Sequence, residues 1–168
     1  DGSIAVGDDG KIHFTPPVSI IGTPDADLLV GTQSTDTLSG LAGDDTLSGA
    51  AGADIIDGGS DDDLISGGAG ADDLTGGTGN DTFSGTLAEF DGDVIADFED
   101  GDVIDLSDVA LTQSMVSVSE TGGNTTVEID TNGDGTPDAS IQLTGTFPPG
   151  DFTVAPDGTL SLVPITAV

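Results

Sequence analysis

Between residues 22 and 84 one pattern returns every nine residues, seven times without a gap. Written from its first glycine, it reads GTPDADLLV from Gly22, GTQSTDTLS from Gly31, GLAGDDTLS from Gly40 and GAAGADIID from Gly49. It continues as GGSDDDLIS from Gly58, GGAGADDLT from Gly67 and GGTGNDTFS from Gly76. The first position is always Gly. The sixth is always Asp: Asp27, Asp36, Asp45, Asp54, Asp63, Asp72 and Asp81. The eighth is always a large apolar residue: Leu29, Leu38, Leu47, Ile56, Ile65, Leu74 and Phe83. A fixed period of this length marks a stacked repeat architecture, because one unit cannot bury its apolar side chain alone. Positions one to six are rich in Gly, which suits sharp turns and positive φ. The last three residues of each unit alternate out, in, out, as a short strand with one buried side chain. Turn chemistry by itself would accept Asp, Asn, Ser or Gly interchangeably. Asp at one phase seven times asks for a further reason.

The repeat resembles the nonapeptide G-G-x-G-x-D-x-U-x of RTX (repeats-in-toxin) calcium-binding proteins. The fourth position keeps the family's Gly at Gly43, Gly52, Gly70 and Gly79, and departs from it at Asp25, Ser34 and Asp61. The resemblance implies an all-β fold, a right-handed parallel β-roll with two nonapeptides per turn. Loops of like parity would then stack at the spacing of neighbouring strands, about 4.8 Å. Asp27, Asp45, Asp63 and Asp81 would form one column, and Asp36, Asp54 and Asp72 the other. Carboxylates so close repel strongly unless a cation lies between them. A shell of six to eight oxygens at about 2.3–2.6 Å selects Ca²⁺. The resemblance further implies that each Asp bridges two ions, one per oxygen, with loop carbonyls completing each shell. Seven units paired two apart give 7 − 2 = 5 sites, and five Ca²⁺ would bring the formal charge from −31 to −21. Asp61 is either an added ligand or simply a lost glycine.

The period continues past residue 84. Asp93-Val94-Ile95 and Asp102-Val103-Ile104 repeat the core of the unit at the same nine-residue step, after a short insertion within 85–92. They are expected to be further rungs, with Asp93 and Asp102 as further candidate ligands. Residues 90–109 also resemble the stretch that follows the repeats in RTX C-terminal modules. Beyond it, 115–120, 125–130 and 139–144 read as strands, with a hairpin loop over 121–124. Only 87–90 and 107–114 read as short helical turns. The segment 130–138 fits the first half of an EF-hand loop, D-x-[DN]-x-[DN]-G, and puts Asp130, Asn132, Asp134 and Asp138 forward as ligands. Ile141 stands where the closing Glu should be. An Asp/Asn-Gly turn is the plainer reading.

Residues 4–16 align with 152–164, each an apolar alternation around Asp-Gly. The first hairpin either ends a preceding module or joins the second in capping one sheet; the second reading is favoured, since an isolated hairpin is marginal in water. The chain thus divides into an N-terminal hairpin (1–17), a β-roll (18–106) and a β-rich C-terminal capping region with hairpins (107–168). Asp1 rather than Met opens the sequence, which reads as a piece of something longer.

Composition narrows function. Asp and Glu number 32 against one Lys and no Arg, so nucleic acid and anionic membranes are poor partners. No stretch reaches the roughly 20 apolar residues of a membrane span. Cys, Trp and Tyr are absent. His13, the only histidine, is expected to face solvent beside Lys11 and Thr15. These absences argue against catalysis. The resemblance implies a secreted, calcium-folded module at the cell surface or outside a bacterium. It would support type I export and stability of a larger protein, and its apolar end, 159–168, is compatible with a C-terminal export signal. The alternative is a Ca²⁺-dependent polysaccharide-binding or adhesin/surface-layer module.

Overall fold

The computed structural model describes residues 3–6, 12–106, 108–155 and 159–162. From residue 19 onward the chain winds as a parallel β-solenoid. Strands β3 (Ser19–Ile21), β5 (Thr37–Ala42), β7 (Ile55–Ser60), β9 (Asp73–Thr78) and β11 (Val94–Ile95) lie in one sheet. Strands β4 (Leu28–Val30), β6 (Thr46–Ser48), β8 (Leu64–Ser66), β10 (Thr82–Gly85) and β12 (Val103–Leu106) lie in the other. Each turn therefore gives one strand to each sheet, as two nonapeptides per turn require. The register confirms it: Leu38 lies beside Ile56 and Ile56 beside Leu74, each step being two repeat units.

The eighth position is the core. Leu38, Leu47, Ile56, Ile65, Leu74, Phe83, Ile95 and Ile104 are all essentially inaccessible to water. The seventh position is exposed at Leu28, Ile55 and Leu64, which is the out-in-out alternation expected. The insertion in 85–92 lengthens one turn without breaking the stack. Val94 lies beside Asp73 and Val103 beside Thr82, each a full turn plus the insertion further on. The two degenerate units are therefore rungs of the roll.

The C-terminal strands extend both sheets. Strands β13 (Val116–Thr121), β14 (Asn124–Ile129) and β15 (Ala139–Thr144) form an antiparallel meander, and β15 joins β11 in parallel. The β13–β14 turn is tighter than expected and leaves only Gly122 and Gly123 outside the strands. Both take positive φ, as a type I′ hairpin requires. Strands β16 (Phe152–Val154) and β17 (Leu160–Leu162) pair with each other, and β17 runs antiparallel to β12. Phe98 packs between Phe83 and Phe152, with Phe147 against Phe152. Short 3-10 turns occupy Gln113–Met115 and Pro149–Asp151.

The first hairpin, β1 (Ser3–Val6) and β2 (Ile12–Thr15), pairs Ile4 with Phe14 and Val6 with Ile12. The second pairs Phe152 with Leu162 and Val154 with Leu160. With Ile4 aligned on Phe152, the two registers are identical. Yet β1 and β2 form a two-stranded sheet of their own, so among the described residues only the second hairpin caps a roll sheet. The turns at Asp9-Gly10 and Asp157-Gly158, the His13 side chain and the tail from residue 163 lie outside the described residues.

Candidate metal centre

The two columns of sixth-position aspartates form as the repeat phase requires. Asp36, Asp45, Asp54, Asp63, Asp72 and Asp81 are buried, and Asp93 and Asp102 join them at the same depth. Each carboxylate is held in one orientation by the chain. Oδ1 of Asp45 accepts the backbone N–H of Asp27, one turn earlier, at 2.7 Å. The same bond runs from Asp36 to Asp54, Asp45 to Asp63, Asp54 to Asp72 and Asp63 to Asp81, at 2.7–2.9 Å. It continues from Asp72 to Asp93 and from Asp81 to Asp102 at 2.9 Å. The stack Asp54–Asp72–Asp93 and the stack Asp63–Asp81–Asp102 thus cross the insertion intact. One oxygen of each of these aspartates is taken up by the chain itself.

The other oxygen is the informative one. Oδ2 of Asp45, Asp54, Asp63 and Asp72 is buried with no hydrogen-bond partner. A buried, unpaired carboxylate oxygen is strongly unfavourable, and native structures avoid it unless something else supplies the partner. The titration behaviour says the same. Burial first, then neighbouring carboxylates, pushes Asp54 and Asp63 up to about 6. Burial and the charges of Asp72, Asp91 and Asp73 push Asp93 up to about 7. Asp102 rises to about 6, and Asp72 and Asp81 are also raised, burial being the leading cause in each. These groups resist ionising unless a cation compensates them.

Backbone oxygens lie on the same side. A Cβ built on Gly22 would meet the Gly40 carbonyl at 2.7 Å and Asp27 Oδ2 at 2.8 Å. The same two kinds of oxygen crowd Gly31, Gly40, Gly49 and Gly58. None of the seven first-position glycines has a positive φ. What a Cβ there would meet is the Asp carboxylate, with a carbonyl beside it in the first five units, while the positive φ expected of the Gly-rich loop falls at the second and fourth positions. Among the described residues no three acidic or histidine side chains converge on one point. A cation here would draw on one or two aspartates and on backbone carbonyls, an all-oxygen set that fits Ca²⁺.

The remaining candidate residues sit elsewhere. Gly43, Gly52, Gly70 and Gly79 take positive φ at the loop turns, and Asp61 does the same at its equivalent position. Asp61 is exposed and its Oδ2 accepts the Gly43 N–H. Asp130, half-buried, and the exposed Asn132, Asp134 and Asp138 form a loop far along the chain, closed by its own bonds. Asp130 accepts the N–H groups of Gly133 and Gly135, and Asp134 that of Thr136. Asp138 accepts the Thr131 N–H and hydroxyl, which hold it below the usual carboxylate range. Residues that the sequence reading passed over include Asp97, which accepts the N–H groups of Gly76 and Gly77. They also include Asp44 and Asp62, which accept from the backbone one turn later, at Asp62 and Asn80. Asp44, Asp62 and Asn80 recur two repeat units apart, a signal visible in the sequence. Asp97 lies after the insertion, where no period announces it.

The RTX calcium-binding nonapeptide repeat family (4 copies) matches residues 21–56 and 48–83. The R2 subunit of the AlgE6 mannuronan C5-epimerase of Azotobacter vinelandii, known as a solution structure, is 29% identical. That match covers 76% of this chain and 84% of that one, with a TM-score of 0.38. The R3 subunit of the same epimerase is 30% identical over 73% of this chain and 72% of that one, with a TM-score of 0.36. No curated protein matches the chain. Among the described residues no helix is long and apolar enough to cross a membrane.

Proposed function

The chain belongs to the RTX calcium-binding nonapeptide-repeat family, and from that premise we propose that it is a module whose folding is switched on by Ca²⁺ outside the cell. The observation that carries this is the row of buried, partnerless Oδ2 atoms on Asp45, Asp54, Asp63 and Asp72. Bound between successive loops of like parity, Ca²⁺ supplies the positive charge and coordination those oxygens lack. The aspartate Oδ1 atoms, tied to the backbone one turn earlier, hold each carboxylate in place for it. Loop carbonyls complete the shell.

Without the ion, the carboxylate columns and the entropy of a Gly-rich chain oppose the roll. An ion that binds only the folded chain stabilises it by mass action. Extracellular sites commonly bind Ca²⁺ at about 10⁻⁴–10⁻³ M, so a chain made where Ca²⁺ is scarce stays open and folds after release. That suits type I export and a secreted location in a bacterium. The module has no catalytic role of its own. Its divisions are the hairpin at 1–17, the roll at 18–106 and the cap at 107–168.

Far-UV circular dichroism of the full chain, begun in chelator and titrated with Ca²⁺ against a Mg²⁺ control, tests the switch. The expected result is a cooperative coil-to-β transition near millimolar Ca²⁺ that Mg²⁺ does not produce. A β spectrum already complete in chelator and indifferent to Ca²⁺ would make the roll a constitutive scaffold instead.

A further inference from the structure

The seven aspartates look equivalent in sequence, but their second oxygens are not equivalent in the structure. In the first two units Oδ2 already has partners. Asp27 Oδ2 accepts the Thr23 N–H at 2.6 Å and the Thr23 hydroxyl at 2.9 Å. Asp36 Oδ2 accepts the Thr32 N–H at 2.5 Å and the Thr32 hydroxyl at 2.9 Å. In units three to six the corresponding oxygens, on Asp45, Asp54, Asp63 and Asp72, are buried and have none.

The backbone explains the difference. The second position of the unit has positive φ at Leu41, Ala50, Gly59, Gly68 and Gly77. Thr23 and Thr32 do not share it. A β-branched residue is a genuine outlier at positive φ, so Thr at this position keeps the loop in the other conformation. The Thr N–H and hydroxyl then point at the carboxylate. At the far end of one column the chain closes again: Asp102 Oδ2 accepts the Glu99 N–H at 2.8 Å.

We propose that Thr23 and Thr32 are built-in stand-ins for a cation: they close Asp27 and Asp36 with hydrogen bonds, and ion binding by open carboxylates begins at Asp45 and Asp54. This rests on the calcium reading above and divides its sites. The pairing count of five treats all seven aspartates as ligands. The hydrogen bonds remove the first two and leave the first turn complete without an ion. A metal-free first turn gives the roll an edge on which the ion-dependent rungs can be laid.

The test counts Ca²⁺ on the full chain at saturation, by native mass spectrometry and equilibrium dialysis. Asp27→Asn and Asp36→Asn should bind as many ions as the parent. Asp54→Asn and Asp63→Asn should each bind at least one fewer. Thr32→Gly frees the second position to turn left-handed, opens Asp36, and should bind at least one more. This variant removes no carboxylate and keeps the question answerable should an aspartate variant fail to fold. An Asp36→Asn chain that loses as many ions as Asp63→Asn, or a Thr32→Gly chain with an unchanged count, overturns the proposal. A parent chain that binds no Ca²⁺ overturns the calcium reading itself.

Discussion

The roll and the 130–138 loop are both rich in acid, and they handle it in opposite ways. In the roll, Asp54, Asp63 and Asp72 are buried, and each has one oxygen bonded to the chain and the other to nothing. In the loop, Asp134 and Asp138 are exposed and Asp130 is half-buried, and their oxygens accept from neighbours close by in sequence. Acid content alone therefore says little about metal. What distinguishes a site is an oxygen that the chain buries and leaves without a donor. The loop carries half the motif of a calcium hand, and the roll has the unmet chemistry.

The sharpest way to probe that contrast is through the core that the roll shares with its ions. Ile65 is fully buried and lies between Leu47 and Phe83 in the ladder. Ile65→Ala removes its methyl groups and leaves a cavity, a change that costs about 2–5 kcal/mol. Because folding and ion binding are linked, the same variant should need more Ca²⁺ to fold. The adjacent Leu64 is 42% exposed, and Leu64→Ser should stay within about 0.5 kcal/mol. Denaturant unfolding in saturating Ca²⁺, followed by the Ca²⁺ midpoint of the circular dichroism transition, reads both. Equal effects from the two neighbours would mean that the eighth-position column does not hold the roll together.

That column was the most legible part of the molecule, because a strict nine-residue phase with an apolar eighth position admits one stacking. Asp93 and Asp102 were legible as rungs, since they keep their own nine-residue spacing. Their stacking onto Asp72 and Asp81 was hidden by the insertion, which breaks the phase between the two sets. The Gly-rich loop was legible as a place of positive φ, but which glycines take it was not: the first-position φ is ordinary, and what excludes a Cβ there is the approach of the Asp carboxylate and, in most units, a carbonyl, which only the fold displays. The echo of the first hairpin in the last was legible down to its register, but the sheet each hairpin joins depends on tertiary contacts. The split between closed and open carboxylates had a signal in plain view, a β-branched residue at position two of the first two units. It carried no meaning until the other loops proved left-handed there.

A smaller effect follows from the titrations, and its sign separates the metal-free roll from an ordinary acidic domain. In the folded chain Asp54, Asp63 and Asp102 are raised from 3.8 to about 6, and Asp93 to about 7. The folded state therefore holds these protons more tightly than the unfolded state. Their contribution to stability is fully present below the unfolded value near 3.8 and is lost as pH rises through about 6 to 7. Asp36, where burial is outweighed by hydrogen bonds from Val18 and Thr32, is lowered and works the other way. In chelator, whatever β signal the chain shows near pH 4 should fade as pH rises toward 7, where the metal-free chain is open. In saturating Ca²⁺ the trend should weaken or reverse, since protons then compete with the ion. A metal-free β signal that grows steadily with pH would mean that the aspartate columns are not carried buried in the folded chain.

The least effect is expected at the half-motif of the 130–138 loop. Asp130→Asn keeps one acceptor toward Gly133 or Gly135 and turns an amide donor on the other N–H. An exposed loop bond of this kind is worth about 1 kcal/mol. A small drop in the unfolding midpoint is therefore expected, with no change in the number of bound Ca²⁺. The loop's oxygens are exposed and already answered by nearby N–H and hydroxyl groups, so water and chain leave no unmet demand for an ion. Ion counting on Asp130→Asn beside Asp63→Asn puts the two regions in one experiment. Loss of an ion from the loop variant would show that exposed, locally bonded carboxylates can recruit Ca²⁺ here as well. The buried, partnerless oxygen would then no longer be what separates a site from a turn.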